Sequence, residues 1–152
     1  MKNSSIIIVL LILLLTLSSC GKKNYMIYDE ASSRKFINEI YDHIEKGKSD
    51  YCLIDVRDLN NSYASGHFKG FINYDIQNGT IDEFLYKIES MYSKDKTIFI
   101  IDEDGSKIEE LMKELKNKGY KKIHGYTGGY NNLLKENNND FEIVTGTDDC
   151  GC

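Results

Sequence analysis

The chain has 152 residues, with 19 basic against 24 acidic side chains and a formal net charge of -5. A polyanion needs a basic face, and Arg34 and Arg57 are the two arginines, so this balance argues against nucleic acid as a partner. Proline is absent, which excludes a rigid Pro-rich linker, and no internal repeat divides the chain.

In chain order, Met1-Lys2-Asn3 opens onto an unbroken apolar run over 6–15. Roughly 10–12 apolar residues is signal-peptide length, whereas a membrane-spanning helix needs about 20. The run ends in Leu17-Ser18-Ser19-Cys20-Gly21, small residues before a cysteine. This resembles the lipobox of bacterial lipoproteins, which implies cleavage after residue 19 and acylation of Cys20. Each buried methylene contributes about 0.8 kcal/mol, so two or three acyl chains anchor stably. The expectation is a 1–19 signal peptide, a lipidated tether over 20–24, and a body on the extracytoplasmic side of a cell membrane. Roughly 130 residues then remain, enough for one domain with a real core.

The body alternates strand-like and helix-like segments. Residues 25–28 predict a short strand. Phe36, Ile37, Ile40, Tyr41 and Ile44 recur at helical spacing, predicting a helix over 31–46. Short apolar runs at 51–56 and 71–74 predict buried strands. Thr80 and Glu83 form a capping-box pattern before Phe84, Leu85, Ile88 and Met91. Residues 97–101 are β-branched, aromatic or apolar throughout, the clearest strand. Ser106 and Glu109 repeat the capping-box pattern before Ile108, Leu111, Met112 and Leu115, and Gly119 supplies the stop. A strand over 122–125 and a short helix over 130–135 close the domain. The tail over 136–152 reads as polar and loose, apart from 141–144.

Strands apolar on both faces, alternating with helices, predict an α/β fold. We expect a three-layer single domain over 25–135, with a mostly parallel central sheet of about five strands and helices on both faces. Sites in such sheets lie at the carboxyl ends of strands, which points to the loops after Val56 and Ile101.

The first loop region reads Leu53-Ile54-Asp55-Val56-Arg57, then Tyr63, then Gly66-His67-Phe68-Lys69-Gly70-Phe71-Ile72-Asn73. This resembles the rhodanese family, whose members carry Asp-Val-Arg at a strand end, then Tyr, then Gly-His-Ile-x-Gly-Ala-Ile-Asn. Gly119-Tyr120 and Gly128-Gly129-Tyr130 agree with the family's later motifs, although Leu133 or Leu134 stands where Trp is expected. Read from the residues, Asp55 and Arg57 form an ion pair or cap a neighbouring loop, and His67 is a buried loop residue between glycines. The resemblance implies a mainly structural role for Asp55, Gly66, His67 and Gly70, with Arg57 able to face the site.

The second loop decides the chemistry. Active members of the family carry Cys-x-x-Gly-x-Arg there, and the thiolate takes sulfur as a persulfide, stabilised by backbone N–H groups and the positive helix end. The corresponding stretch here is Asp102-Glu103-Asp104-Gly105-Ser106-Lys107. Gly105 keeps its place, Lys107 replaces Arg, and Asp102 replaces Cys. A carboxylate cannot attack a sulfane sulfur and carry it, and three acids repel anionic donors. The expectation is a domain without sulfurtransferase activity, needing no cofactor. It would bind a protein or small ligand through a pocket of Arg57, Asp102 and Lys107.

Two other readings compete. Cys150-Gly151-Cys152 could relay sulfur or act as a redox pair, although Asp148 and Asp149 would raise the thiol pKa. Cys52 reads as packing. Asp102 and Asp104 after a strand also resemble the Asp-x-Asp-Gly motif of haloacid dehalogenase-like phosphatases. That resemblance implies divalent-metal or phosphate handling, but no downstream Lys and acidic pair completes it.

Overall fold

A computed structural model describes residues 24–47 and 49–147. The signal segment, Cys20, Cys150 and Cys152 lie outside the described residues. The elements follow in the order β1 (Asn24–Tyr28), α1 (Ser33–Glu45), β2 (Tyr51–Asp55), β3 (His67–Phe68), β4 (Phe71–Asn73), α2 (Ile81–Met91), β5 (Thr97–Ile101), α3 (Ile108–Asn117), β6 (Lys122–Tyr126), α4 (Tyr130–Glu136) and β7 (Ile143–Val144). Five strands form one parallel sheet in the order β1-β6-β5-β2-β4.

Alternation along the strands divides the core in two. Ile54, Ile98, Ile100 and Ile123 meet Phe84, Leu85 and Ile88 of α2 and Ile108, Leu111, Met112 and Leu115 of α3. Leu53, Phe99, Ile101, Tyr28 and Tyr126 meet Phe36, Ile37 and Ile40 of α1 and Leu133 of α4. Successive strand side chains point to opposite faces, so apolar runs such as Ile98–Ile101 need a helix layer on each side. The expected α/β, three-layer architecture with a five-stranded sheet is therefore present.

Two local expectations change. Thr80 and Glu83 do form a reciprocal capping box at α2, but Ser106 and Glu109 do not at α3, which starts without a side-chain cap from its N-cap residue Lys107. Just ahead of that end, Asp102 accepts from the Gly105 and Lys107 N–H groups instead, as described below. The tail, expected to be loose apart from 141–144, is folded from Asn137 onward among the described residues. Phe141 packs on Tyr41, Phe68 and Phe71. Asn137 exchanges side-chain hydrogen bonds with the Phe141 backbone, at 2.8 and 2.9 Å. β7 then pairs antiparallel with β3. One buried aromatic ring and a short strand pairing are enough to fold a polar segment onto the domain.

Candidate functional site

The loops after β2 and β5 leave the sheet side by side, because Asp55 and Ile101 are register partners and the Val56 N–H donates to the Ile101 carbonyl at 3.0 Å. After β2, the Asp55 carboxylate is fully buried. It accepts from the Arg57 N–H at 3.0 Å and from Arg57 Nε at 2.9 and 3.0 Å, and lies 2.8 Å from Nη2. Nη2 also donates to the Gly66 carbonyl at 3.0 Å. The guanidinium lies over the Tyr130 ring, 3.5 Å from its centroid, a cation–π contact in a dry setting. Burial pushes the Asp55 carboxyl up, and Arg57 pulls it back toward the charged form.

His67 is buried and stacks on Tyr63 with ring centroids 3.7 Å apart. Its Nδ1 donates to the Tyr63 carbonyl at 3.0 Å, and the Tyr63 hydroxyl donates to the Phe71 carbonyl at 2.6 Å. Gly70 turns the chain with φ +90°, a conformation that side chains oppose. Asp55, Gly66, His67 and Gly70 sit in the contacts that link β2 to β4. Arg57 belongs to this framework too. With 2% of its surface exposed, it lies beneath the cleft instead of lining it, and reaches toward the rim only where Nη1 is 4.0 Å from Glu103 Oε2. The expected pocket of Arg57, Asp102 and Lys107 is not assembled in that form.

After β5, Asp102 is 1% exposed. Its Oδ1 accepts from the Gly105 N–H, and its Oδ2 accepts from the Lys107 N–H at 2.9 Å. The Tyr130 N–H ties the loop from behind, at 3.0 Å from the Asp102 carbonyl and 3.1 Å from that of Glu103. Gly105 has φ +87°, and a Cβ there would lie 1.9 Å from the Thr127 carbonyl oxygen, so the loop admits only glycine. Burial raises the Asp102 carboxyl, opposed by the Lys107 and Gly105 N–H groups, whereas hydrogen bonds from Ser106 lower that of Asp104. Lys107 points outward, half-exposed, with Nζ 3.5 Å from Glu110 Oε2.

Between the two loops lies a cleft of about 400 Å³ lined by Asp58, Ser62, Gln77, Glu103, Asp104, Ser106 and Lys107. Asp58 is held at the cleft by a short-range pattern: its carboxylate accepts from the Asn60 and Asn61 N–H groups at 2.9 and 2.6 Å. Tyr130 was visible only as part of the Gly128-Gly129-Tyr130 motif, and its contacts with Arg57 and Asp102 come from distant sequence. Among the described residues no group of three or more His, Cys, Asp or Glu is placed to hold a metal ion, and Asp102 turns its carboxylate to the main chain instead of toward Asp104. Cys52 is buried on the α2–α3 side of the sheet, paired in register with Ile98, and burial pushes its thiol up to about 12. It is three residues, or roughly 10 Å of strand, from Asp55 at the site end.

A family model described as the rhodanese-like domain matches residues 36–136. A tRNA uridine(34) hydroxylase of Bdellovibrio bacteriovorus is 36% identical over 101 residues, which is 66% of this chain but only 28% of that protein. Among solved structures, thiosulfate sulfurtransferase from Pseudomonas aeruginosa superposes with a TM-score of 0.61 at 15% identity, covering 80% of this chain and 20% of that one. The Alr3790 protein of Anabaena sp. gives 0.59 at 17% identity, covering 74% and 80%. The matched span takes in both loops and the sheet between them, and this chain belongs to the rhodanese-like domain family.

Proposed function

We propose that this rhodanese-like domain transfers no sulfur itself and serves as a binding or scaffolding module held at a membrane surface by lipid on Cys20. The observation that carries this reading is Asp102. At the end of β5, where the resemblance calls for a persulfide-forming cysteine, a buried carboxylate is engaged with the backbone N–H groups of Gly105 and Lys107. A carboxylate oxygen carries no sulfane sulfur, and the described thiol, Cys52, is buried and held protonated away from the site. Hydroxylation of tRNA belongs to a relative of which this chain spans about a quarter, and the acidic cleft suits no polyanion. Anchoring is supported by the lipobox pattern and by β1, which begins at Asn24, four residues after Cys20.

A second reading, thiol chemistry at Cys150 and Cys152, has one observation on its side. The Gly146 N–H donates to the Ala64 carbonyl at 2.9 Å, so the chain leaves the described residues beside the turn that contributes Ser62 to the cleft.

A thiosulfate–cyanide assay of the full chain separates the two. The non-catalytic reading predicts no thiocyanate above the blank. Turnover that disappears in Cys150→Ser/Cys152→Ser would move the chemistry to the tail. Labelled palmitate should enter the wild-type chain in membranes and not Cys20→Ala; an unlabelled, freely soluble wild type would end the anchoring proposal.

A further inference from the structure

The five parallel strands sort the connections of the domain into two ends. Segments that leave the strands at their carboxyl ends carry the cleft. Over 29–32, 56–66, 74–80, 102–107 and 127–129 they hold seven acids against two cations, Arg57 and Lys107. Segments that enter β2, β5 and β6, over 46–50, 92–96 and 118–121, reverse that balance. Their described lysines are Lys46, Lys94, Lys96, Lys118 and Lys121, against Asp50 and Asp95, and Lys122 opens β6. All six lysines are exposed or half-exposed. A helix dipole favours cations in a last helical turn, but Lys94, Lys96, Lys121 and Lys122 lie beyond the helices. Acids on the last helix turns, Asp42, Glu45, Glu89 and Glu114, offset part of the charge. Lys94 and Lys118 lie 2.7 and 3.3 Å from Glu89, and Lys121 lies 3.0 Å from Asp95. Exposed pairs of this kind contribute little and exchange readily.

The anchor segment joins the domain at this same end. β1 begins at Asn24, whose register partner is Lys122, and Lys116 Nζ lies 4.6 Å from the centroid of the Tyr25 ring. Four residues span at most about 14 Å, so Cys20 lies no farther than that from Asn24. Lys22 and Lys23 within that span add two more cations. The five residues of β5 separate this end from the cleft by about 17 Å, roughly two Debye lengths at physiological salt. The chain as a whole is acidic, so an anionic surface draws the lysine end in and pushes the cleft end out. We propose that the lysine end of the sheet seats the domain on anionic phospholipid headgroups of the membrane that holds Cys20, with the cleft turned away from the bilayer. The acyl anchor and the basic end then act as two linked attachments, each raising the effective concentration of the other. The partner of the cleft approaches from the aqueous side. This inference rests on the anchoring reading above and deepens it by naming the lipid that the domain itself contacts.

The test places the wild-type full chain in bilayers that contain a paramagnetic headgroup lipid and reads the broadening of backbone amide NMR signals. One bilayer mixes phosphatidylcholine with phosphatidylglycerol, and the other is phosphatidylcholine alone. In the anionic bilayer, amides over 94–96 and 118–122 should broaden at least about threefold more than those over 58–62 and 103–107, given the length of strand between them. The contrast should weaken in phosphatidylcholine alone, and again in about 1 M salt, where the Debye length falls to roughly 3 Å. Lys94→Gln/Lys118→Gln/Lys121→Gln should weaken it in the same way. Lys35→Gln/Lys87→Gln/Lys113→Gln, which removes equal charge from exposed positions on the helices, should not. The lipid and salt arms need no variant, so a triple variant that does not fold leaves the proposal open to refutation. Equal broadening at the two ends of the wild type overturns it. So does a contrast indifferent to lipid charge and to salt, which would be the work of the tether alone, and so does an equal effect of the two triple variants, which would make it one of net charge. Labelled palmitate reads acylation of Cys20 separately. A chain that labels but shows no contrast sinks this inference and leaves the anchoring reading standing, whereas an unlabelled, freely soluble chain ends both.

Discussion

Two buried carboxylates stand at the carboxyl ends of neighbouring strands, and they are held in opposite ways. Asp55 has a full cation against it, and Arg57 in turn is fixed by Gly66 and Tyr130. Among the described residues, Asp102 is held by main-chain N–H groups. Burial raises both carboxyls, but only Asp55 has a guanidinium to offset it. The comparison separates framework from function. A charge-paired block that ties β2 to the glycine turn and to α4 cannot be altered without loosening the domain. A side chain held by the main chain alone can be exchanged while the loop around it keeps its path.

The sharpest way to break this comparison is Arg57→Ala. It leaves Asp55 charged and buried without a partner, and chemical denaturation should show a loss of about 3–5 kcal/mol. A loss as small as that of a surface substitution would mean that the block is not a framework. Next in size, Asp102→Ala leaves two N–H donors without their acceptor, and unfolding should show a loss of about 1–3 kcal/mol. A loss equal to that of Arg57→Ala would remove the distinction between the two carboxylates.

The sign of the pH dependence sharpens it further. Burial holds the folded Asp102 carboxyl above its ordinary 3.8. Its contribution to stability is therefore full below the unfolded value and is lost as pH rises through the folded value. Asp102→Asn does not ionise, so its stability relative to wild type should increase from acid to neutral pH, followed by thermal unfolding across that range. A difference that stays flat or reverses would place the Asp102 carboxyl at or below its ordinary value. The smallest contrast concerns capping. Thr80→Ala should lower stability by about 1 kcal/mol, because the Thr80 hydroxyl accepts from the Glu83 N–H at 3.2 Å. Ser106→Ala should stay within about 0.5 kcal/mol. Equal effects would return the capping role to Ser106.

The same pair of helix starts shows what was legible in the sequence. Both carry a hydroxyl residue followed three places later by Glu, yet only Thr80 caps. Ahead of α3, Asp102 instead reaches forward to the Gly105 and Lys107 N–H groups of the loop, and the Ser106-to-Glu109 spacing does not report that choice. Strand β5 was readable residue for residue, since five consecutive apolar side chains buried on both faces leave no other element. The family motif from Asp55 to Asn73 was readable as well. Arg57 was misplaced, because its position beneath the cleft is set by Tyr130 on α4, which sequence spacing does not bring near it. The break in polarity at 141–144 was legible, but where the 137–147 segment docks was hidden for the same reason. The polar residues around that break suggest a loose tail, whereas the seat of Phe141 on Phe68 and the pairing of β7 with β3 are long-range events.

The most direct measurement is the rate of thiocyanate formation from thiosulfate and cyanide by the full chain and by its Asp102→Cys variant. The account predicts none above the blank from the wild type. It predicts turnover from the variant, whose thiolate would receive the Gly105 and Lys107 N–H groups that now hold the carboxylate. Turnover by the wild type that persists in Cys150→Ser/Cys152→Ser would contradict it. A folded but silent Asp102→Cys variant would show that the loop geometry is not that of an active relative.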